Sequence, residues 1–390
     1  MSLFARRPQL RWLAPLIAAV LLATAGSVIA AIGASARDSL PTRTAAQLLV
    51  DVQNARLDGL SGTVVQTADL GLPELPGPAG EGSSSFTSLV SGSHTLRLWY
   101  AGPEKARIAL LGQLGESDVV RNGSDVWVWS SSDNSAKHLT VPAGADGKAE
   151  PPSAADPAIT PQKAADLALA AITPTTKVTT DSTATVAGRS AYQLVLEPRD
   201  PSTLVGAVKV AIDGDTHVPT RVQVFARGAS EPAFEVGFTS FDPTTPSSSV
   251  FEFNPPPGAD VSEGLTGDGH AAKALPDETG KAGRVAKPEV VGSGWTTVIK
   301  ATLPAPAADT GSDTGSDTGS DTGSDTGSDT GSSPLGDLAT VVDSLPTVSG
   351  AWGSGHLLRG SLFSVLVTDD GQVVAGAVAP DRLYDALAAR

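Results

Sequence analysis

Residues Ser182–Val261 read STATVAGRSAYQLVLEPRDPSTLVGAVKVAIDGDTHVPTRVQVFARGASEPAFEVGFTSFDPTTPSSSVFEFNPPPGADV. Four runs in this stretch are rich in Val, Ile, Leu, Phe and Thr: Ser190–Glu197, Thr203–Asp213, Val218–Ala226 and Ala233–Phe241. Each is bounded by Pro, Gly, Asp or Ser, the residues that start and stop strands. Asp213-Gly214-Asp215-Thr216 predicts a hairpin, because Asp-Gly tolerates the positive φ angles of tight turns. A series of antiparallel strands follows, and no catalytic constellation falls inside it.

Working outward, the 390 residues suffice for two ordinary domains. A net charge of −15 argues against nucleic acid, whose phosphates demand clustered Lys and Arg. The chain has no cysteine, which excludes disulfides, thiol catalysis, thiolate metal sites and lipidation at an N-terminal cysteine. Residues 1–36 read as a targeting segment: Arg6, Arg7 and Arg11 precede the apolar run Trp12–Gly33, and Ala34-Ser35-Ala36 offers a cleavage site. A cleaved signal peptide and an uncleaved N-terminal membrane anchor both fit, and both place the remainder outside the cytoplasm.

Thr42–Leu57 has helical periodicity, with Thr42 or Thr44 as its cap, and Thr63–Leu70 alternates as a first strand. Leu72–Ser85 is a loop by composition. Phe86–Val90, His94–Tyr100, Lys105–Leu111, Glu116–Arg121, Asp125–Ser130 and Lys137–Val141 are predicted strands. Val126-Trp127-Val128-Trp129 is apolar on both faces, so each face needs an apolar neighbour. Thr160–Ile172 predicts a helix opened by Pro161. Residues 262–288 read as a linker, and 289–390 as a small second domain interrupted at 309–332 by six copies of Asp-Thr-Gly-Ser. Those copies contain no apolar side chain, so they read as a flexible acidic spacer rather than a calcium-binding roll. In the second domain Trp295–Leu303, Gly355–Leu358, Ser361–Thr368 and Gln372–Ala379 read as strands, Gly336–Leu345 and Pro380–Ala389 as helices.

The five histidines, His94, His138, His217, His270 and His356, show no metal-ligand spacing. The chain has no nucleophile elbow, no phosphate loop and no dinucleotide fingerprint. No cofactor and no metal is implied.

In order along the chain, four features resemble the LolA/LolB/RseB superfamily of bacterial extracytoplasmic proteins. They are the helix leading into Leu60-Ser61-Gly62-Thr63-Val64, the Val126–Trp129 strand after Asn122-Gly123, and Ala191–Pro198 followed by Val208–Asp213 and Pro219-Thr220-Arg221. The fourth is the closing segment Phe251–Val261, FEFNPPPGADV. Trp295–Leu303 and Leu362–Gly371 are similar to the small second domain of RseB/MucB-type regulators. The resemblance implies a mainly β (α+β) chain: residues 42–261 as a half-open antiparallel β-barrel with covering helices and an apolar cavity, then the small α+β domain.

From these readings the expected function is an exported, non-enzymatic protein that binds acyl chains of a lipid or lipoprotein. The cavity is assigned to Leu96, Leu98, Val126, Val128, Leu194, Leu196, Val222, Val224, Val236 and Phe238. Two alternatives stand beside it. One is an RseB/MucB-like regulator of envelope stress whose partner is a membrane anti-sigma factor; the other is an enzyme of unknown type.

Overall fold

The computed structural model describes residues 40–72, 83–141, 169–170, 173–265, 288–302 and 342–388. The targeting segment, the helix expected at Thr160–Ile172 (all but two of its residues), most of the linker and the Asp-Thr-Gly-Ser run lie outside them.

Strands β1 (Leu60–Ala68), β2 (Gly92–Tyr100), β3 (Lys105–Leu111), β4 (Glu116–Asn122), β5 (Asp125–Ser130) and β6 (Ser135–Thr140) form one antiparallel meander. A second meander holds β7 (Thr176–Val186), β8 (Arg189–Pro198), β9 (Val205–Asp213), β10 (Pro219–Ala226) and β11 (Pro232–Asp242). Pairing of β1 with β11 joins the two. β12 (Asp260–Leu265) then adds to the far edge, parallel to β6. The result is one twelve-stranded sheet that does not close, with β7 and β12 at its ends. The chain is mainly β with a half-open first sheet, as its resemblance implied.

The opening stretch behaves as a strand series, with one change at its turn. Gly214 does not carry the positive φ; His217 does, at 58°. The reason is Asp213, which is 1% exposed. Its Oδ1 accepts hydrogen bonds from the backbone N–H of Asp215 and Thr216 and from the Thr216 hydroxyl. Arg189 donates to both of its oxygens, at 2.6 and 3.0 Å. The carboxylate thus organises a wider loop than a two-residue hairpin, as Asx turns do.

One side of the sheet is set by what packs on it. Helix α1 (Ala45–Asn54) is capped by Thr44, whose side chain accepts from the Gln47 N–H while the Gln47 side chain accepts from Thr44. Its Leu48 is fully buried against Tyr192, Leu194 and Ile212. We call this the inner side. Phe238 of β11 packs against a cluster of Val186, Ala191 and Ala211 from β7 to β9. On the outer side of β3 to β5, the closing segment crosses the strands. Phe251 is 1% exposed, and Phe253 packs on Trp127 and Trp129 with ring centroids 5.4 and 6.1 Å apart. This is the apolar neighbour that the paired tryptophans required.

The second sheet has six strands in the order β13-β14-β18-β17-β16-β15. These are β13 (Glu289–Val291), β14 (Val298–Thr302), β15 (Thr347–Gly350), β16 (Gly353–Arg359), β17 (Ser364–Thr368) and β18 (Gln372–Gly376). Helix α2 (Pro380–Ala388) lays Leu383 and Ala386 on a core of Val298, Leu357, Leu366, Val374 and Val378. The two sheets are stitched together. Leu362 packs with Val205 and Ala233, Leu204 N–H donates to the Ala377 carbonyl at 2.9 Å, and Trp295 Nε1–H donates to Thr176 Oγ1 at 2.8 Å.

Several elements differ from the sequence reading, which named no strand at β7, β13 or β15. Phe86–Val90 is a 3-10 turn rather than a strand, because Ser85 caps it and the Ser88 hydroxyl donates back to the Ser85 carbonyl. Trp295 sits in a short 3-10 turn (Gly294–Thr296), and the strand starts at Val298. Residues 262–265 are strand rather than linker: Ser262–Leu265 hydrogen-bond to β6, and sequence polarity hides an edge strand whose partner is fixed by the preceding proline-rich crossing.

Candidate functional site

Cross-strand pairing decides which side chains share a surface. Phe238 lies opposite Val64, and Val64 opposite Leu96. Leu98 lies opposite Ile108, Ile108 opposite Val119, and Val119 opposite Val128. Val236 pairs with Val222, Val222 with Val210, and Val210 with Leu194. Phe234, Val224, Val208 and Leu196 form the parallel row. Since alternate residues of a strand share a face, all ten residues singled out in the sequence stand on the inner side.

They do not form one site. Leu96, Leu98, Val222, Val236 and Phe238 line a single hollow of about 360 Å³. Leu194 and Leu196 instead pack in the cluster under α1. Val224 belongs to the cluster that joins the two sheets. Val126 and Val128 are half-buried on β5, further along the same side, and do not line the hollow.

The hollow has further walls that the sequence reading passed over. Val64 and Gln66 come from β1, Ile108 from β3, and Leu89 from the 3-10 turn that crosses the inner side. Pro219, Thr220 and Arg221 form the end at the start of β10, where a bulge interrupts the pairing with β9. Ile108 is 36% exposed, so the hollow opens to solvent along β3. Leu96 and Leu98 stay half-buried. A wall of this kind holds an apolar group through burial, worth about 0.8 kcal/mol per methylene.

Gln66 breaks the apolar lining. It is 5% exposed, and neither its Oε1 nor its Nε2 has a hydrogen-bond partner among the described residues. Its neighbour across the strand, His94, is by contrast satisfied: one ring nitrogen lies 3.4 Å from Ser88 Oγ and the other 2.8 Å from the Ser91 carbonyl. The sequence did carry a signal for Gln66. In Val64-Val65-Gln66-Thr67-Ala68 it occupies an inner-side parity position where an apolar residue is the norm.

The perturbed ionisable groups lie outside the hollow. His138 on β6 stacks on Trp127 at 4.3 Å and bonds Asp125 and Glu263, both at 2.9 Å. The bond to Asp125 and then that to Glu263 raise its pKa against the opposing effect of burial. Glu116 is raised by its hydrogen bond with Asp118, by burial and by that neighbour's charge, while Arg107 counteracts. Asp213 is held below the usual carboxylate range: burial works against ionisation, and the bonds from Arg189 and Thr216 outweigh it. None of these lines the hollow. The described lining holds no carboxylate, imidazole or serine. Among the described residues no group of three or more His, Asp or Glu is arranged to hold a metal ion.

No family model and no curated protein matches the sequence. Solved structures do. The chain is similar to MucB in the Pseudomonas aeruginosa MucA/MucB complex, at 12% identity over 87% of this chain and 94% of that one, with a TM-score of 0.40. It is similar to a second MucB structure, in complex with MucA(peri), at 14% identity over 88% and 97% of the two chains, also with a TM-score of 0.40. A LolA superfamily protein from Nitrosomonas europaea matches 54% of this chain and 99% of its own, at 12% identity and a TM-score of 0.21.

Proposed function

We propose that this chain is an exported, non-enzymatic binding protein that holds acyl chains of a lipid or lipoprotein on the inner side of its first sheet. The observation that carries the reading is the hollow itself: Val64, Leu89, Leu96, Leu98, Val222, Val236 and Phe238 converge on about 360 Å³, and Arg221 is the one charged residue in the described lining. That volume falls in the range of about 300–1,000 Å³ typical of small-ligand sites. The motifs of the first sheet that resemble the LolA/LolB/RseB superfamily support the same reading, as does the apolar N-terminal segment that reads as a signal peptide or membrane anchor. The domain assignment we propose is a binding unit over 42–265 and a second unit from 289 to the end.

The test is solvent extraction and mass spectrometry of the purified full-length chain, combined with titration of a dansylated fatty acid. Co-purified lipid, or saturable probe binding that Leu98→Arg abolishes, is the expected result. A lipid-free protein that does not bind the probe refutes the proposal.

A second reading gives the six-stranded sheet a role in docking a protein partner, as in an RseB/MucB-like regulator that binds a membrane anti-sigma factor. Its supporting observation is that this sheet covers one face with α2 yet leaves Val290 and Ile299 exposed, at 63% and 48%. Ile299→Asp should then remove partner capture and leave probe binding unchanged. Capture that survives the substitution refutes this reading.

A further inference from the structure

Two side chains in the lining of the hollow lack the partners that their chemistry demands. Gln66 is 5% exposed, and neither its Oε1 nor its Nε2 has a hydrogen-bond partner among the described residues. Arg221 has a buried Nε in the same condition and forms no ion pair among the described residues. The two belong to one stretch of sheet: Val236 lies opposite Gln66 on one side and opposite Val222, the residue after Arg221, on the other. The other polar groups nearby are engaged. The Thr220 hydroxyl donates to the Ala211 carbonyl, and His94 is held by Ser88 and Ser91.

A buried amide without partners is costly, and so is a cation set in apolar surroundings without a counter-charge. What they lack defines a single chemical group. The Gln66 Nε2 needs an acceptor, and Arg221 needs an anion. A carboxylate is both. When it is protonated, its O–H and carbonyl stand side by side and match the Oε1 and Nε2 of one primary amide, so Gln66 serves either state. An ester offers the acceptor without the charge, and an alkane offers neither. A carboxylate also ends an alkyl chain without a bulky headgroup, which suits a hollow of about 360 Å³. Leu96 and Leu98 would take the chain, which leaves toward Ile108, where the hollow opens to solvent.

We infer that the hollow selects long-chain free carboxylates over the same chains in ester linkage, with Gln66 donating to the carboxylate and Arg221 supplying the opposite charge. This inference rests on the acyl-binding reading above and deepens it, by naming the head of the ligand.

The full-length chain is loaded with N-phenyl-1-naphthylamine, an uncharged fluorophore that reports apolar sites, and the dye is displaced in turn by dodecanoate, methyl dodecanoate, dodecyl phosphate and dodecane. Dodecanoate should act at about tenfold lower concentration than its methyl ester, the worth of one charge-assisted hydrogen bond after the cost of desolvating the head. The ratio of acid to ester is read within one protein, so it does not depend on how much of a variant folds. In Gln66→Leu and in Arg221→Met, which keep the side-chain bulk, that ratio should fall toward one. Equal displacement by acid and ester in the wild type overturns the inference and leaves acyl binding intact. So does a ratio unchanged in both variants, or dodecyl phosphate acting at lower concentration than dodecanoate. If the chain takes up no dye and binds none of the four compounds when each is titrated directly, the acyl-binding reading itself falls, and the inference with it.

Discussion

Removing Arg189 tests the reasoning about the fold-defining turn. Arg189 bonds Asp213 at 2.6 and 3.0 Å and Asp215 at 2.9 Å, and its guanidinium lies 5.7 Å from the centre of the Phe241 ring. Asp213 is 1% exposed. Breaking a buried ion pair from one side costs about 3–5 kcal/mol, because the remaining charge is stranded. Asp213 keeps three hydrogen bonds within the turn, and the Arg189 side chain is 29% exposed, so the low end applies. Arg189→Ala should therefore lower stability at neutral pH by about 3 kcal/mol. Adding Asp213→Asn removes the stranded charge and should recover most of that loss. The pH dependence follows with a definite sign. The folded-state pKa of Asp213 is depressed, so its contribution is fully present above the unfolded carboxylate range and is lost as pH falls through the folded value. In Arg189→Ala that loss should begin at higher pH. Urea titration followed by tryptophan fluorescence reads each difference. A single variant within about 1 kcal/mol of wild type, or a double variant no better than the single, refutes the argument.

Two further expectations concern the outer side. Both ring nitrogens of His138 face carboxylate oxygens, one of them on β12, an arrangement that favours the imidazolium form. Its pKa is raised, so its contribution is complete below the unfolded value near 6.5 and is lost as pH rises through the folded one. Amide exchange at Ser262–Leu265, corrected for intrinsic rates, should therefore lose protection on the alkaline side, and His138→Gln should flatten the profile; protection in wild type that is indifferent to pH sinks the idea. Phe251 fills the crossing of the closing segment, and Phe251→Ala should cost about 3–5 kcal/mol in urea titration, against which a loss below about 1 kcal/mol would count decisively.

The strands with large apolar residues were legible because alternation and turn residues coincide there. β8 to β11 and β2 to β5 follow directly from that pattern, and so does the side on which Leu96 or Val222 stands. β7 escaped notice, since TKVTTDSTATV has few large side chains; it holds its place as an edge strand, with Asp181 exposed on it. Phe86–Val90 has strand-like composition, yet its serines bond their own backbone and turn it. Periodicity also could not divide the ten inner residues among a hollow, a helix-covered core and an interface between sheets. That division depends on where α1 and the second sheet dock, through contacts such as Leu48 with Tyr192 and Leu362 with Val205. Gln66 was visible as a pattern violation, but its lack of partners is a property of three dimensions.

The seam between β1 and β11 has a consequence in time. Thr63 N–H donates to Ser240 Oγ across 177 residues of chain. A polypeptide emerging N-terminus first, at about 5–20 residues per second, holds β1 for roughly ten to thirty-five seconds before its partner exists. Once β2 to β6 have been made, the first meander carries an unpaired edge at β1 until β11 follows. The hollow cannot assemble sooner, since Val236 and Phe238 are on the late side of the seam. Folding of this chain is therefore governed by sequence separation as much as by stability, and the nascent first half is the species most exposed to wrong pairing.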